Sequence, residues 1–127
     1  MDLHTGIKGQ LSRVVTPEVT AAVIGSGGAN VFSTPMMIAL IEKTCHLSVA
    51  PLLDEGLSTV GTRVDVSHSA PTPVGMTVTA GTELVEVDRR RLVFKVSVRD
   101  ERGLVGEGTH ERFIIDAARF QAKADAK

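Results

Sequence analysis

The sequence predicts an α+β domain in which a curled antiparallel sheet closes around one long helix, and three observations carry that reading. Ser33 to Asp54 holds the chain's long helical stretch, opened by Thr34 as N-cap and Pro35 at the first helical position, with no polar residue from Met36 to Ile41. From Leu57 to Ile115 the chain falls into four stretches that alternate with period two between turn signals. A short strand-like stretch precedes the helix. Both apolar surfaces are buried only if the sheet wraps the helix.

The elements follow in order. Met1 to Lys8 is polar and reads as a frayed start, and Leu11 to Thr16 as a short strand cut by Pro17. Glu18 to Ile24 continues as an edge strand or a turn. Gly25-Ser26-Gly27-Gly28 makes a flexible lead-in to the helix; it lacks the Gly-Lys-Ser/Thr ending of a phosphate loop and the strand-turn-helix setting of a dinucleotide loop. The helix is expected to end near residues 51–56. Leu57 to Ser69 places Val60, Val64, Val66 and His68 on one covered face. Met76 to Val87 is the next strand, and its apolar set changes phase near Leu84, the mark of a bulge. Asp88-Arg89-Arg90-Arg91 is a hairpin tip, Leu92 to Val98 a strand, and Leu104 to Ile115 the last strand, on which His110 and Arg112 share a face. Residues 117–127 form an Ala- and Lys-rich tail, a weak amphipathic helix or a disordered end. The whole chain, 1–127, is one domain with its core at about 11–115 and a tail at 116–127.

Composition narrows the function classes. Of 127 residues, 43% are hydrophobic and 23% charged, which suits a folded globular chain. A net charge of −1 offers no basic face for nucleic acid and none for a membrane surface. No apolar run approaches the roughly 20 residues of a spanning helix, and Met1 to Gln10 has no secretory core, so a cytoplasmic protein is expected. Cys45 stands alone and reads as a small buried hydrophobe, and with no Cys-x-x-Cys or His-Glu-x-x-His spacing neither a metal nor a resident cofactor is expected. Open sheet edges and an incompletely covered helix point to a homodimer, with further pairing to a tetramer left open.

The candidates for chemistry are few. Glu42 interrupts the apolar helix, where an unpaired buried charge is expensive; it either bridges to His46 or a nearby arginine, or it is held for catalysis. His68 falls on the face that packs against that helix, and a carboxylate meeting an imidazole in a partly dry pocket is the pairing that acid-base chemistry uses. Thr34 either caps the helix or offers its hydroxyl. It stands eight residues, about 12 Å, from Glu42 on the same axis, so the two approach each other only across antiparallel helices of a dimer. Arg112 either clamps an anion or bridges to Glu42, and Gly61 lets a ligand carbonyl approach the backbone closely. The arginines of the hairpin tip read as a solvated turn or as contacts for the phosphates of a nucleotide-like carrier.

These residues also resemble a known family. Phe32-Ser33-Thr34-Pro35 leading to Glu42, then Thr59 to His68, Pro73 to Val78, and Gly103 to Arg112, are similar in order and spacing to the hotdog-fold thioesterases related to fluoroacetyl-CoA thioesterase, over about Val14 to Ile115. The resemblance implies a sheet wrapped around a central helix, sites at a dimer interface, and hydrolysis of an acyl-CoA thioester with coenzyme A as part of the substrate. It implies catalytic roles for Thr34, Glu42 and His68, and substrate-binding roles for Gly61, Arg112 and Phe32. One departure stands out. That enzyme closes its pocket with phenylalanines from the segment before the helix, where this chain has Gly25 and Gly28, so a roomier and wetter pocket is expected here. Two other classes remain open: a non-catalytic acyl-CoA-binding hotdog module, and a hydratase acting on enoyl-CoA, whose aspartate and histidine pair this pattern does not resemble.

Overall fold

Two hydroxyls stand side by side at the start of the long helix, and the first of them caps it. In the computed structural model, which describes Met1–Lys127, the helix spans Thr34–Val49 (α2) and Ser33 is its N-cap, the Ser33 side chain accepting a hydrogen bond from the Met36 amide at 3.3 Å. Thr34 is therefore the first helical residue rather than the cap, and its hydroxyl is left for other partners. This corrects the sequence expectation by one position, with a consequence for the site below.

Upstream, strand β1 spans Lys8–Val14, beginning earlier than expected because every residue from Lys8 to Val14 is in register with strand β3, Thr77–Asp88. The stretch expected to be an edge strand or turn is instead a 3-10 turn at Pro17–Val19 followed by the short helix Ala21–Ile24 (α1). Its ends explain it: the Thr20 hydroxyl accepts from the Val23 amide, and Gly25 terminates the helix at φ 90°. Bridges Thr20↔Phe32 and Val31↔Pro73 close the base of the glycine-rich excursion.

After α2 and a 3-10 turn at Ala50–Leu52, the chain enters β2 (Leu57–His68), then β3, β4 (Arg91–Asp100) and β5 (Gly103–Asp116), and ends in α3 (Ala117–Asp125). The five strands form one antiparallel sheet in the order β1-β3-β4-β5-β2, with α2 packed on its inner face. Met37, Leu40, Ile41, Cys45 and Val49 of α2 meet Val78, Leu84, Leu92, Phe94 and Ile114 of the sheet. Each fully buried side chain of that size contributes about 1.5–3 kcal/mol over exposure. The sheet covers only one side of the helix, for Ala39, Lys43 and Leu47 stay exposed. No helix is long and apolar enough to cross a membrane.

Bulges shape the sheet. The expected shift in β3 lies between Leu84 and Glu86. A second, in β2 between Gly61 and Arg63, reverses the strand's faces. Before it, Thr59 and Gly61 lie opposite Ile114 and Arg112; after it, Val64, Val66 and His68 lie opposite His110, Gly108 and Gly106. Val60, expected on the covered face with them, instead pairs with Phe113, which is exposed. The extra residue, Thr62, is the reason.

Candidate active site

The site residues fall into two groups along α2. At its N-terminus, the Thr34 hydroxyl and His68 Nδ1 are 2.7 Å apart, a contact between the first turn of α2 and the last residue of β2. The ring's other nitrogen, Nε2, is buried without a hydrogen-bond partner. Burial, the larger effect, holds the His68 pKa below the ordinary imidazole value, with the Ala70 backbone acting the other way. A cleft of about 290 Å³ adjoins the pair, lined among others by Ser26, Phe32, Thr34, His68 and Ser69. Phe32 is 1% exposed, a wall of this cleft rooted in the core.

Two turns further on lies the second group. The Glu42 carboxylate rests on the backbone of Gly61 so closely that a Cβ there would stand 2.5 Å from Glu42 Oε2. Glu42 keeps 41% of its side-chain surface exposed, while its partner Arg112, at 3.5 Å, is 7% exposed. Arg112 donates from Nε to the Thr59 hydroxyl at 2.8 Å and from Nη2 to the Thr59 carbonyl at 3.0 Å. Its Nη1 also donates to His110 Nε2 at 3.2 Å. Arg112 is therefore a buried, multiply anchored cation beneath Glu42, and of the two readings of Glu42 as an ion pair it is the arginine that the structure selects. His46 turns instead toward the Thr59 hydroxyl, at 3.3 Å.

One chain does not bring Glu42 to His68. Glu42 lies over Gly61, and His68 is six ladder steps further along β2 once the bulge residue is left out, roughly 20 Å at about 3.3 Å per step. Within one chain the expected meeting of carboxylate and imidazole is not seen, because β2 meets α2 at two separate levels. The sequence points to Thr34 meeting Glu42 across copies, whereas the contact of Thr34 with His68 lies within one chain. The signal was present in the run Ser33-Thr34-Pro35, where one hydroxyl suffices for the cap. Thr59, the double acceptor for Arg112, carried no such signal.

Other candidates resolve simply. Arg91 donates to Glu111 at 2.8 Å and to Glu86, and Arg89 pairs with Asp88, so the hairpin-tip cations are largely matched by carboxylates. Cys45 is fully buried, and desolvation is the main reason its thiol is pushed up to about 12. No three His, Cys, Asp or Glu side chains gather as a metal site.

A curled antiparallel sheet packed around one long helix is the hotdog fold. The chain belongs to the fluoroacetyl-CoA-specific thioesterase family, whose sequence model matches residues 15–118. Over 97 residues it is 43% identical to the fluoroacetyl-CoA thioesterase of Streptantibioticus cattleyicolor, spanning 76% of this chain and 70% of that protein. A solved structure of fluoroacetyl-CoA thioesterase aligns with TM-score 0.93 at 35% identity, covering 100% of this chain and 98% of the other. A variant of that enzyme in complex with fluoroacetate and CoA aligns with TM-score 0.88 at 35% identity, covering 93% and 99%. A thioesterase superfamily member from Thermus thermophilus gives TM-score 0.90 at 27% identity, covering 98% and 93%. Membership carries the reaction class, thioester hydrolysis, with acyl-CoA as the class of substrate.

Proposed function

We propose that this thioesterase hydrolyses a small acyl-CoA at a site completed by two copies of the chain, with Thr34 and His68 from one copy facing Glu42 of the other. The observation that carries the reading is the separation just described: each chain holds a hydroxyl-imidazole pair and a carboxylate at different levels of one helix. An antiparallel second helix brings unlike levels together. Two features support such pairing. Strand β2 is an edge of the sheet with β5 on one side only, and Val64, on its inward face opposite His110, remains 37% exposed. On α2, Leu47 is 48% exposed.

In this assembly Glu42 attacks the thioester carbonyl or activates water against it, and His68 moves the proton through its unpartnered Nε2. Thr34 fixes the imidazole from the other side. The bare backbone at Gly61 lets the Glu42 carboxylate lie against it, beside Arg112. Gly25 and Gly28, close in sequence to the cleft residue Ser26, carry no side chain, and nothing stands within 4 Å of a Cβ position at either. That supports an acyl group not restricted to fluoroacetyl.

Complementation tests the shared site. Glu42→Ala and His68→Ala proteins are each purified, mixed, unfolded together and refolded, and hydrolysis of short acyl-CoAs is followed with a thiol reagent. Half of a random mixture is mixed dimers, each with one intact site, so activity returns to about a quarter of wild type. A mixture as inactive as its components overturns the shared site.

A further inference from the structure

We infer that His110 is a positioning residue of the Glu42 half-site: its ring ties the bulge in β2 to Arg112 and so fixes the cation beneath the Glu42 carboxylate. The inference rests on Glu42 serving the reaction.

The ring's two hydrogen bonds fix its tautomer. His110 is 0% exposed, and its Nδ1 is 2.8 Å from the Arg63 carbonyl. A carbonyl only accepts, so Nδ1 must carry the proton. The guanidinium of Arg112 only donates, so Nε2, 3.2 Å from Nη1, must be bare. Both bonds are satisfied by one species, the neutral ring protonated at Nδ1. Its surroundings favour that species: burial, the largest effect, holds His110 below the usual imidazole range, and the Arg112 charge acts in the same direction. Glu42 on α2 and Glu111 on β5 are the carboxylates that oppose it. The ring is further clamped by Phe94, with centroids 6.5 Å apart and planes 28° from parallel.

The bonds lead to the chemistry on both sides. Arg63 is the first paired residue after the β2 bulge, and Gly61 the last before it. The bond to the Arg63 carbonyl therefore pins the bulge that holds Gly61 under Glu42. A Cβ on Gly61 would stand 3.2 Å from His110 Cε1, so the ring also forms part of the floor there. On the other side, Nη1 of Arg112 is the nitrogen that donates to Glu42 Oε2, and His110 Nε2 shares that same nitrogen. Thr59 holds the Nε and Nη2 side of the guanidinium. His110 holds the remaining corner.

Two isosteric substitutions separate the bonds. Asn at 110 retains a donor at the Nδ1 position and loses the acceptor for Arg112, whereas Gln offers an acceptor at the Nε2 position. His110→Asn should lose about 10- to 100-fold in kcat with KM nearly unchanged, since small misplacements of a reacting group cost that much, and His110→Gln, which keeps an acceptor for Arg112 but gives up the bond to the Arg63 carbonyl, should lose several-fold less. Melting temperatures accompany both. Equal losses in the two variants that track their melting temperatures, or His110→Asn at wild-type kcat, overturn the inference. A nitrogen-15 spectrum of the wild-type ring supplies an independent reading: a neutral Nδ1–H ring whose Nε2 signal moves on Arg112→Lys supports the assignment, and an Nε2–H or doubly protonated ring at neutral pH overturns it. Glu42→Gln is assayed alongside. Full activity there removes the role of Glu42 itself, whereas an inactive Glu42→Gln with an active His110→Asn removes only the role of His110.

Discussion

The two proposed half-sites differ in how tightly they are held. Thr34 and His68 share one hydrogen bond, and one ring nitrogen of His68 is left without any. Glu42 sits over an arginine anchored by Thr59 and His110, with Gly61 as its floor. The contrast suits the tasks proposed for the two groups. A group that passes protons gains from a free nitrogen and a cleft beside it, and a carboxylate that must meet a carbonyl gains from a fixed bed. The lesson is that rigidity is concentrated on the carboxylate side of the site.

Removing the fixed carboxylate tests the contrast at its strongest: Glu42→Ala should lower kcat by about 10²–10⁴-fold without unfolding the protein, as judged by stopped assays and melting curves. Gly61→Ala comes next. Its methyl would lie 2.5 Å from Glu42 Oε2, and the displaced carboxylate should cost on the order of 10² in kcat with a smaller loss of stability. On the looser side, Thr34→Val should lose about tenfold in kcat and Thr34→Ser very little, because only the hydroxyl reaches His68. Ser33→Ala should do the reverse, costing about 1 kcal/mol of stability in denaturant titration with kcat retained, since Ser33 caps the helix. Equal effects of Ser33→Ala and Thr34→Val on activity would erase the distinction between cap and catalyst.

The pH dependence of stability links the two regions. Burial holds both His68 and His110 below the ordinary 6.5, so on acidification the unfolded chain takes up protons at these positions before the folded one. Stability is therefore unaffected by them well above pH 6.5 and falls as pH drops below it, toward their folded values. Melting curves from pH 8 to pH 5 should show this decline, and His68→Gln or His110→Gln should flatten it.

Much of this was legible in the sequence because it rests on local rules. Alternation located β2 to β5 and placed His110 with Arg112, and the change of phase near Leu84 located a bulge. The bulge at Thr62 escaped notice because its neighbours, Val60, Val64 and Val66, keep unbroken alternation across it, and only pairing with β5 shows the reversal. The choice of Ser33 over Thr34 as cap depends on one hydrogen bond, and both residues are good caps. The bridge from Glu42 to Arg112, across 70 residues, was one of two readings the sequence offered, whereas the contact of Thr34 with His68, across 34, is fixed by strand register, which periodicity cannot supply.

The buried Cys45 has a practical consequence. A thiol with no exposed surface and a pKa of about 12 is scarcely ever a thiolate, and the thiolate is the species that attacks disulfide reagents. Reagents that report released coenzyme A should therefore record the product while the folded catalyst contributes almost no colour of its own. Unfolding exposes the chain's single sulfhydryl, so the same reagent, with substrate omitted, counts unfolded molecules one for one.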